Sequence, residues 1–190
     1  MSRHEIDAIL GDVGRVIRAV DPDETKKLRR AVLDAERVYL AGAGRSGLIA
    51  RTFAMRLVQL NLKVHFVGEV TTPAITSGDV LVICSGSGRT ESMLGVASRG
   101  VAAGARIVLV TSAIIAPLAQ IAQVRVLLPP LIPATSSAPT AESTPESLLQ
   151  PMRTLFEQSL FLYLDHVVLH LMADLHASLA EMQRRHNNLE

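Results

Sequence analysis

Five short runs of aliphatic and β-branched residues constrain what this chain can fold into more than any other feature. They are Val38-Tyr39-Leu40-Ala41, Val64-His65-Phe66-Val67, Val80-Leu81-Val82-Ile83, Ile107-Val108-Leu109-Val110 and Val124-Arg125-Val126-Leu127-Leu128. Apolar residues fill consecutive positions instead of alternating with polar ones, as in strands covered on both faces. Helical patterns fall between the runs. Ile49, Phe53, Leu57 and Leu60 recur at helical spacing after the first run, and Leu94, Ala97 and Val101 after the third. Strands alternating with helices predict an α/β fold with a doubly wound, five-stranded parallel sheet flanked by helices.

The flanking segments are helical too. Ile6, Ile9, Val13, Val16, Ile17 and Val20 keep one face apolar, and Asp21-Pro22-Asp23-Glu24 supplies an N-cap, a first-turn proline and an acid for a second helix. At the other end, Leu160, Leu164, Val168, Leu171, Leu175 and Leu179, widened by Phe156, Tyr163 and Val167, predict one helix from about Pro151 to Met182. So long and apolar a helix is expected to pack on a partner subunit. Residues 129–151 hold six of the nine prolines and predict a loop over or near the site. A chain of 190 residues with 48% apolar content buries one core, so residues 1–190 are expected to form a single domain.

Charge and cysteine usage exclude several functions. A net charge of +1 provides no general field for nucleic acid or a membrane surface, so an anion site has to be local. The single cysteine, Cys84, cannot close an internal disulfide and sits in a buried run, which fits a reducing compartment. Arg3, Asp7, Asp12, Arg15 and Arg18 interrupt any signal-peptide core, and Asp165, His166, His170 and Asp174 interrupt the C-terminal apolar stretch. The expected location is the cytoplasm. His166 and His170 stand four residues apart but lack a third ligand at useful spacing, so they read as helix or interface histidines and no metal is expected.

The chemistry is concentrated in two turns. Gly42-Ala43-Gly44-Arg45-Ser46-Gly47 follows the first run and opens a helix, where backbone N–H groups and the helix terminus favour an anion. Its spacing is that of the dinucleotide fingerprint, with Glu69 placed where a ribose-binding acid belongs, so a nucleotide-binding oxidoreductase stays open on this motif alone. Ser85-Gly86-Ser87-Gly88-Arg89-Thr90 follows the third run and also opens a helix. Its three hydroxyls, two glycines and one guanidinium suit a compact phosphate dianion, each donor taking a different oxygen. The bland alternative is a helix cap through Ser87 or Thr90. Two such turns at the carboxyl ends of strands flank a ligand crevice.

On these residues the chain resembles a sugar isomerase domain, and more narrowly the 6-phospho-3-hexuloisomerases of the ribulose monophosphate pathway of formaldehyde fixation. The resemblance runs through Ala41 to Leu48, Phe53 to Leu57, Val67-Gly68-Glu69 with Thr72-Pro73, Ser85 to Gly88 with Thr90, Gln150-Pro151-Met152 with Leu155-Phe156-Glu157-Gln158, and His186 with Asn188-Leu189-Glu190. It covers nearly the whole chain, and its last two stretches are its most specific. Arg89 departs from the family's more usual Glu, and Arg153 from its more usual Gly.

The resemblance implies conversion of D-arabino-3-hexulose 6-phosphate to D-fructose 6-phosphate through an enediol, with no cofactor. It implies Glu157 as the base and His186, which by sequence alone is a frayed tail, as a contributor reaching a neighbouring subunit's site. Ser85, Gly86, Ser87, Gly88, Arg89 and Thr90 then hold the phosphate, while Gly44, Arg45, Ser46, Glu69, Thr71 and Thr72 line the sugar. The implied partners are a small sugar phosphate and further copies of the chain, in a dimer or tetramer with sites near subunit interfaces. A related arabinose 5-phosphate isomerase and a noncatalytic sugar-phosphate-binding module are the competing readings.

Overall fold

In the computed structural model, which describes residues 3–131 and 150–189, each of the five apolar runs carries a strand. These are β1 (Val38–Gly42), β2 (Val64–Phe66), β3 (Val80–Cys84), β4 (Arg106–Thr111) and β5 (Val124–Leu127), all parallel, in the order β2-β1-β3-β4-β5. Side chains alternate across the sheet and so feed two cores. Val38, Leu40, Val80, Val82, Val108, Val110 and Val126 pack with α1 (Arg3–Arg18), α2 (Pro22–Leu33), α3 (Gly44–Gln59) and α6 (Thr154–Asp174). On the opposite face Tyr39, Ala41, Leu81, Ile83, Ile107 and Leu109 pack with α4 (Glu91–Ala102) and the short α5 (Pro117–Ile121). Both faces being dry explains the unbroken apolar runs.

Strand order places the functional edge. From β1 the chain winds to β2 on one side and then crosses to β3 on the other, so its winding reverses between β1 and β3. Their register pairs Gly42 with Cys84, which brings the two glycine-rich turns out of the sheet at the same level, at the position where open α/β sheets hold ligands. At the opposite end Arg37 clamps the same two strands. Its Nε and Nη2 donate to Asp79 at 3.0 and 2.9 Å, and the Thr76 backbone N–H adds a third bond at 2.7 Å. Burial pushes the Asp79 carboxyl up, but the Arg37 and Thr76 bonds together outweigh it and hold the group below its ordinary range.

Helix α2 starts as its sequence predicts, with Pro22 in the first turn and the Asp21 side chain accepting from the Asp23 N–H at 2.8 Å. The C-terminal helix ends earlier than its periodicity predicts. Helix α6 stops at Asp174, His176 turns left-handed with φ of 50°, and α7 (Leu179–Arg184) starts afresh from a Ser178–Glu181 capping box. Leu175 and Leu179 therefore leave the buried stripe and lie exposed. Of the expected loop at 129–150, residues 132–149 lie outside the described residues, as does Glu190. Among the described residues no helix is long and apolar enough to cross a membrane. Cys84 is buried at the end of β3, and burial pushes its thiol up to about 12, so it stays protonated at neutral pH.

Candidate active site

The turn after β1 depends on close approach. A Cβ at Gly42 would lie 2.9 Å from the Gly47 Cα, so glycine at this position lets α3 begin directly against the strand end. Ala43, the N-cap of α3, offers no side-chain cap, which leaves the first-turn N–H groups of Gly44, Arg45 and Ser46 for another acceptor.

The turn after β3 is held from behind. Thr111 Oγ1 and Ser112 Oγ, from the end of β4, donate to the Gly86 carbonyl at 3.3 and 2.9 Å, and Ser85 Oγ accepts from the Gly88 N–H at 3.2 Å. Ser87 Oγ accepts from the Arg89 N–H at 3.2 Å, and the Arg89 side chain is exposed and reaches the Ile115 carbonyl at 3.4 Å. Thr90 is the N-cap of α4, but its hydroxyl makes no cap bond and instead lies 3.4 Å from Ser85 Oγ. Capping therefore does not account for the Thr90 hydroxyl. Ser85 and Thr90 turn their oxygens toward each other beside an uncapped helix end, an arrangement suited to a phosphate.

The first turn of α6 joins the two turns. Phe156 rests on the β3 turn so closely that a Cβ at Gly86 would lie 2.7 Å from its Cδ1. The next residue, Glu157, is bonded through Oε2 to Arg45 Nε at the start of α3. The Glu157 side chain keeps 14% of its exposure while that of Arg45 keeps 64%, so the carboxylate lies inside and the cation at the rim. Buried Leu160, Tyr163, Leu164, Val167 and Leu171 fix the helix behind this turn. Each such leucine contributes about 2 kcal/mol.

Glu69, Thr71 and Thr72 follow β2 on the same edge of the sheet, across β1 from the phosphate-type turn. Thr72 Oγ1 donates to the Phe66 carbonyl at 2.7 Å and closes the loop, and the Glu69 carboxylate is bonded to Arg51, whose guanidinium stacks 3.8 Å above the Phe66 ring. Glu69 is thus engaged by a cation where a ribose-binding acid would have to be free.

His186 stands apart within one chain. Arg185 Nη1 donates to the Gln59 carbonyl at 3.2 Å, which ties the tail to the C-terminal end of α3. Arg45 is at the other end of that 16-residue helix, about 20 Å away. His166 and His170 place their Nε2 atoms 3.1 Å apart on the outer side of α6, and among the described residues no group of three His, Cys, Asp or Glu is arranged to hold a metal.

A cavity of about 340 Å³ opens between α1, α3 and α6, with Arg45, Glu157 and Gln158 set among Ile9, Leu10, Val13, Ile49, Phe161 and Leu162. It meets the crevice at the Arg45–Glu157 pair and takes no residue from the Ser85–Thr90 turn. Sequence reasoning singled out neither Arg51 nor the supports Thr111 and Ser112. It also quoted Gln150 and Gln158 only as parts of motifs, without a role.

The SIS domain profile matches residues 31–149. A Mycobacterium gastri protein named 3-hexulose-6-phosphate isomerase is 36% identical over 187 residues, covering 98% of this chain and 90% of that one. A Bacillus subtilis protein of the same name is 34% identical over 182 residues, covering 96% of this chain and 95% of its own. Among solved structures, a Methanococcus jannaschii protein from whose crystal structure a 3-hexulose-6-phosphate isomerase function was inferred aligns with a TM-score of 0.82 at 31% identity, over 98% of this chain and 99% of that one.

Proposed function

The chain belongs to the SIS domain family, and from that membership we propose that it interconverts D-arabino-3-hexulose 6-phosphate and D-fructose 6-phosphate through a 2,3-enediol, as a 6-phospho-3-hexuloisomerase. The observation that carries the reading is the bridge at the first turn of α6, where Phe156 rests on the Ser85–Thr90 turn and Glu157 reaches Arg45. A carboxylate held between a phosphate-type turn and a second helix N-terminus is what proton transfer on a tethered sugar phosphate needs. Relatives named for this activity at 34 and 36% identity support the choice of sugar.

The phosphate is held by Ser87, Thr90, the open N–H groups of α4 and the Arg89 guanidinium, and the carbon chain runs from there toward Gly44, Arg45 and Ser46. Glu157 removes the C2 proton of the 3-ketose and returns a proton at C3, while the hydroxyl proton on O2 passes to O3 within the enediolate. The negative charge moves from the carboxylate to the enediolate oxygens as the proton moves the other way. Arg45 serves both states, because its guanidinium pairs with Glu157 before transfer and is released to the enediolate after it. Glu69, Thr71 and Thr72 bound the sugar on the β2 side. Phosphorylation of O6 blocks the hydroxyl that would close a five-membered ring on C3, so the 3-ketose arrives open-chain, while fructose 6-phosphate must be opened. His186 supplies that acid–base step from a second copy of the chain, in a dimer or tetramer.

The test is a coupled assay in which the 3-hexulose phosphate is supplied and fructose 6-phosphate is read out, with arabinose 5-phosphate as the control substrate and its product, ribulose 5-phosphate, read out separately. Wild-type protein turns over the hexulose. Glu157→Gln keeps the shape and removes the base, and its kcat falls about 10³-fold with KM little changed. Near-normal turnover in the variant removes Glu157 from the chemistry, and turnover of arabinose 5-phosphate alone replaces the substrate.

A further inference from the structure

Buried polar groups in folded proteins almost always find hydrogen-bond partners, so the exceptions mark positions where something else completes the site. Among the described residues the side-chain atoms that are buried without a partner are both amide atoms of Gln150, Oε1 of Gln158 and Oγ of Ser159. All of them fall within ten consecutive residues around Glu157. Elsewhere among the described residues, the buried Asp79, Thr25 and Tyr163 are paired.

Gln150 is the most exceptional of the three. It is only 8% exposed, and neither end of its carboxamide is used. Its position follows from the chain after it. Thr154 closes a tight turn onto the Pro151 carbonyl through its N–H at 3.2 Å and its hydroxyl at 2.8 Å, and α6 then begins with Phe156 against Gly86. Helix α6 runs from this edge of the sheet toward its far end, where Asp174 meets Arg29 of α2. Gln150, one short turn ahead of α6, therefore belongs to the carboxyl edge, where the Ser85–Thr90 turn and Glu157 meet.

We propose that Gln150 is a specificity residue that reads two adjacent hydroxyls on the open carbon chain of the bound sugar phosphate, donating to one through its Nε2 and accepting from the other through its Oε1. The inference rests on the sugar-phosphate reading of the site and adds to it a recognition element for the acyclic polyol. A primary amide presents one donor and one acceptor side by side, which matches a vicinal diol and matches neither a phosphate nor a carboxylate. An amide buried without partners carries a desolvation cost that hydrogen bonds to sugar hydroxyls relieve, so it favours ligands with hydroxyls at those two carbons.

This predicts an unusual separation of stability from activity, measured on purified protein with Gln150→Met, which keeps the length and removes both polar ends, and with Gln150→Ala as the second variant. Without ligand, Gln150→Met melts at or above the wild-type temperature, because an unsatisfied amide has been replaced by an apolar chain. Its kcat/KM for the sugar phosphate falls about tenfold or more, while inhibition by inorganic phosphate, which probes the Ser85–Thr90 turn alone, is unchanged. A lower melting temperature in Gln150→Met, or an unchanged kcat/KM in both variants, overturns the proposal and returns Gln150 to a structural role. Wild-type turnover of the hexulose phosphate with no effect of the variants overturns this inference alone. If the wild type turns over no hexulose phosphate, the substrate reading has failed, and the melting shift produced by fructose 6-phosphate decides the inference. Loss of that shift in Gln150→Met sustains it, and retention of the shift, or its absence in the wild type, overturns it.

Discussion

Thr90 concentrates the residue-scale argument, because it occupies an N-cap position and leaves the cap unmade. A threonine that caps a helix stabilises it by about 1 kcal/mol. Here Thr90→Ala changes stability by less than about 0.5 kcal/mol by thermal melting, and both Thr90→Ala and Ser87→Ala raise KM about five- to tenfold with kcat nearly constant. A substantial loss of stability with KM unaltered would make the hydroxyl structural. The sequence carries these groups openly, as hydroxyls and glycines on a turn between strand and helix, where an anion site and a helix cap are the two readings. It does not carry Thr111 and Ser112, whose bonds to the Gly86 carbonyl hold the turn from β4, 25 and 26 residues on. Nor does it carry the pairing of Arg45 with Glu157, which lies 112 residues away and follows from α3 and α6 packing side by side.

At the scale of elements, the β1–β3 pair does two jobs at its two ends. The carboxyl end carries both turns, and the amino end is clamped by Arg37 on Asp79. Asp79→Asn removes the charge from the buried side of that clamp and lowers the melting temperature by about 5 °C at neutral pH. The Asp79 carboxyl is held below its ordinary range in the folded state, so its contribution is complete above about pH 4 and is lost as pH falls through the lower folded value. Melting curves for the two proteins consequently converge as the pH falls below the ordinary carboxylate range, and a difference that does not narrow on acidification would contradict the clamp. The strands are legible because burial on both faces leaves no polar residue to interrupt Val80-Leu81-Val82-Ile83 or Ile107-Val108-Leu109-Val110. The end of α6 is not. Leucines at 171, 175 and 179 continue the helical period, and the break at His176 is set by the Ser178–Glu181 capping box, a local signal that outweighs the period.

For the whole molecule, the proposed role of His186, which stands apart from Glu157 within one chain, requires a second copy to complete the site. If a site takes Glu157 from one copy and His186 from another, Glu157→Gln and His186→Ala chains are each defective alone, and mixing them under exchange restores up to about a quarter of wild-type activity in a dimer, because half of the molecules then hold one intact site. The assay starts from fructose 6-phosphate, the direction that needs ring opening. Mixtures that recover nothing would confine His186 to its own chain or to the tail. The central claim is that Glu157 moves a proton between C2 and C3 of a sugar phosphate, and it is tested most directly by incubating fructose 6-phosphate with the protein in D2O and following the substrate protons by NMR. Proton return to the enediol from an exchanging carboxyl predicts deuterium at C3 of fructose 6-phosphate with both C1 protons retained, and no label with Glu157→Gln. Deuterium at C1, the signature of aldose–ketose chemistry at the end of the chain, or a C3 position that stays unlabelled at equilibrium, would contradict the account.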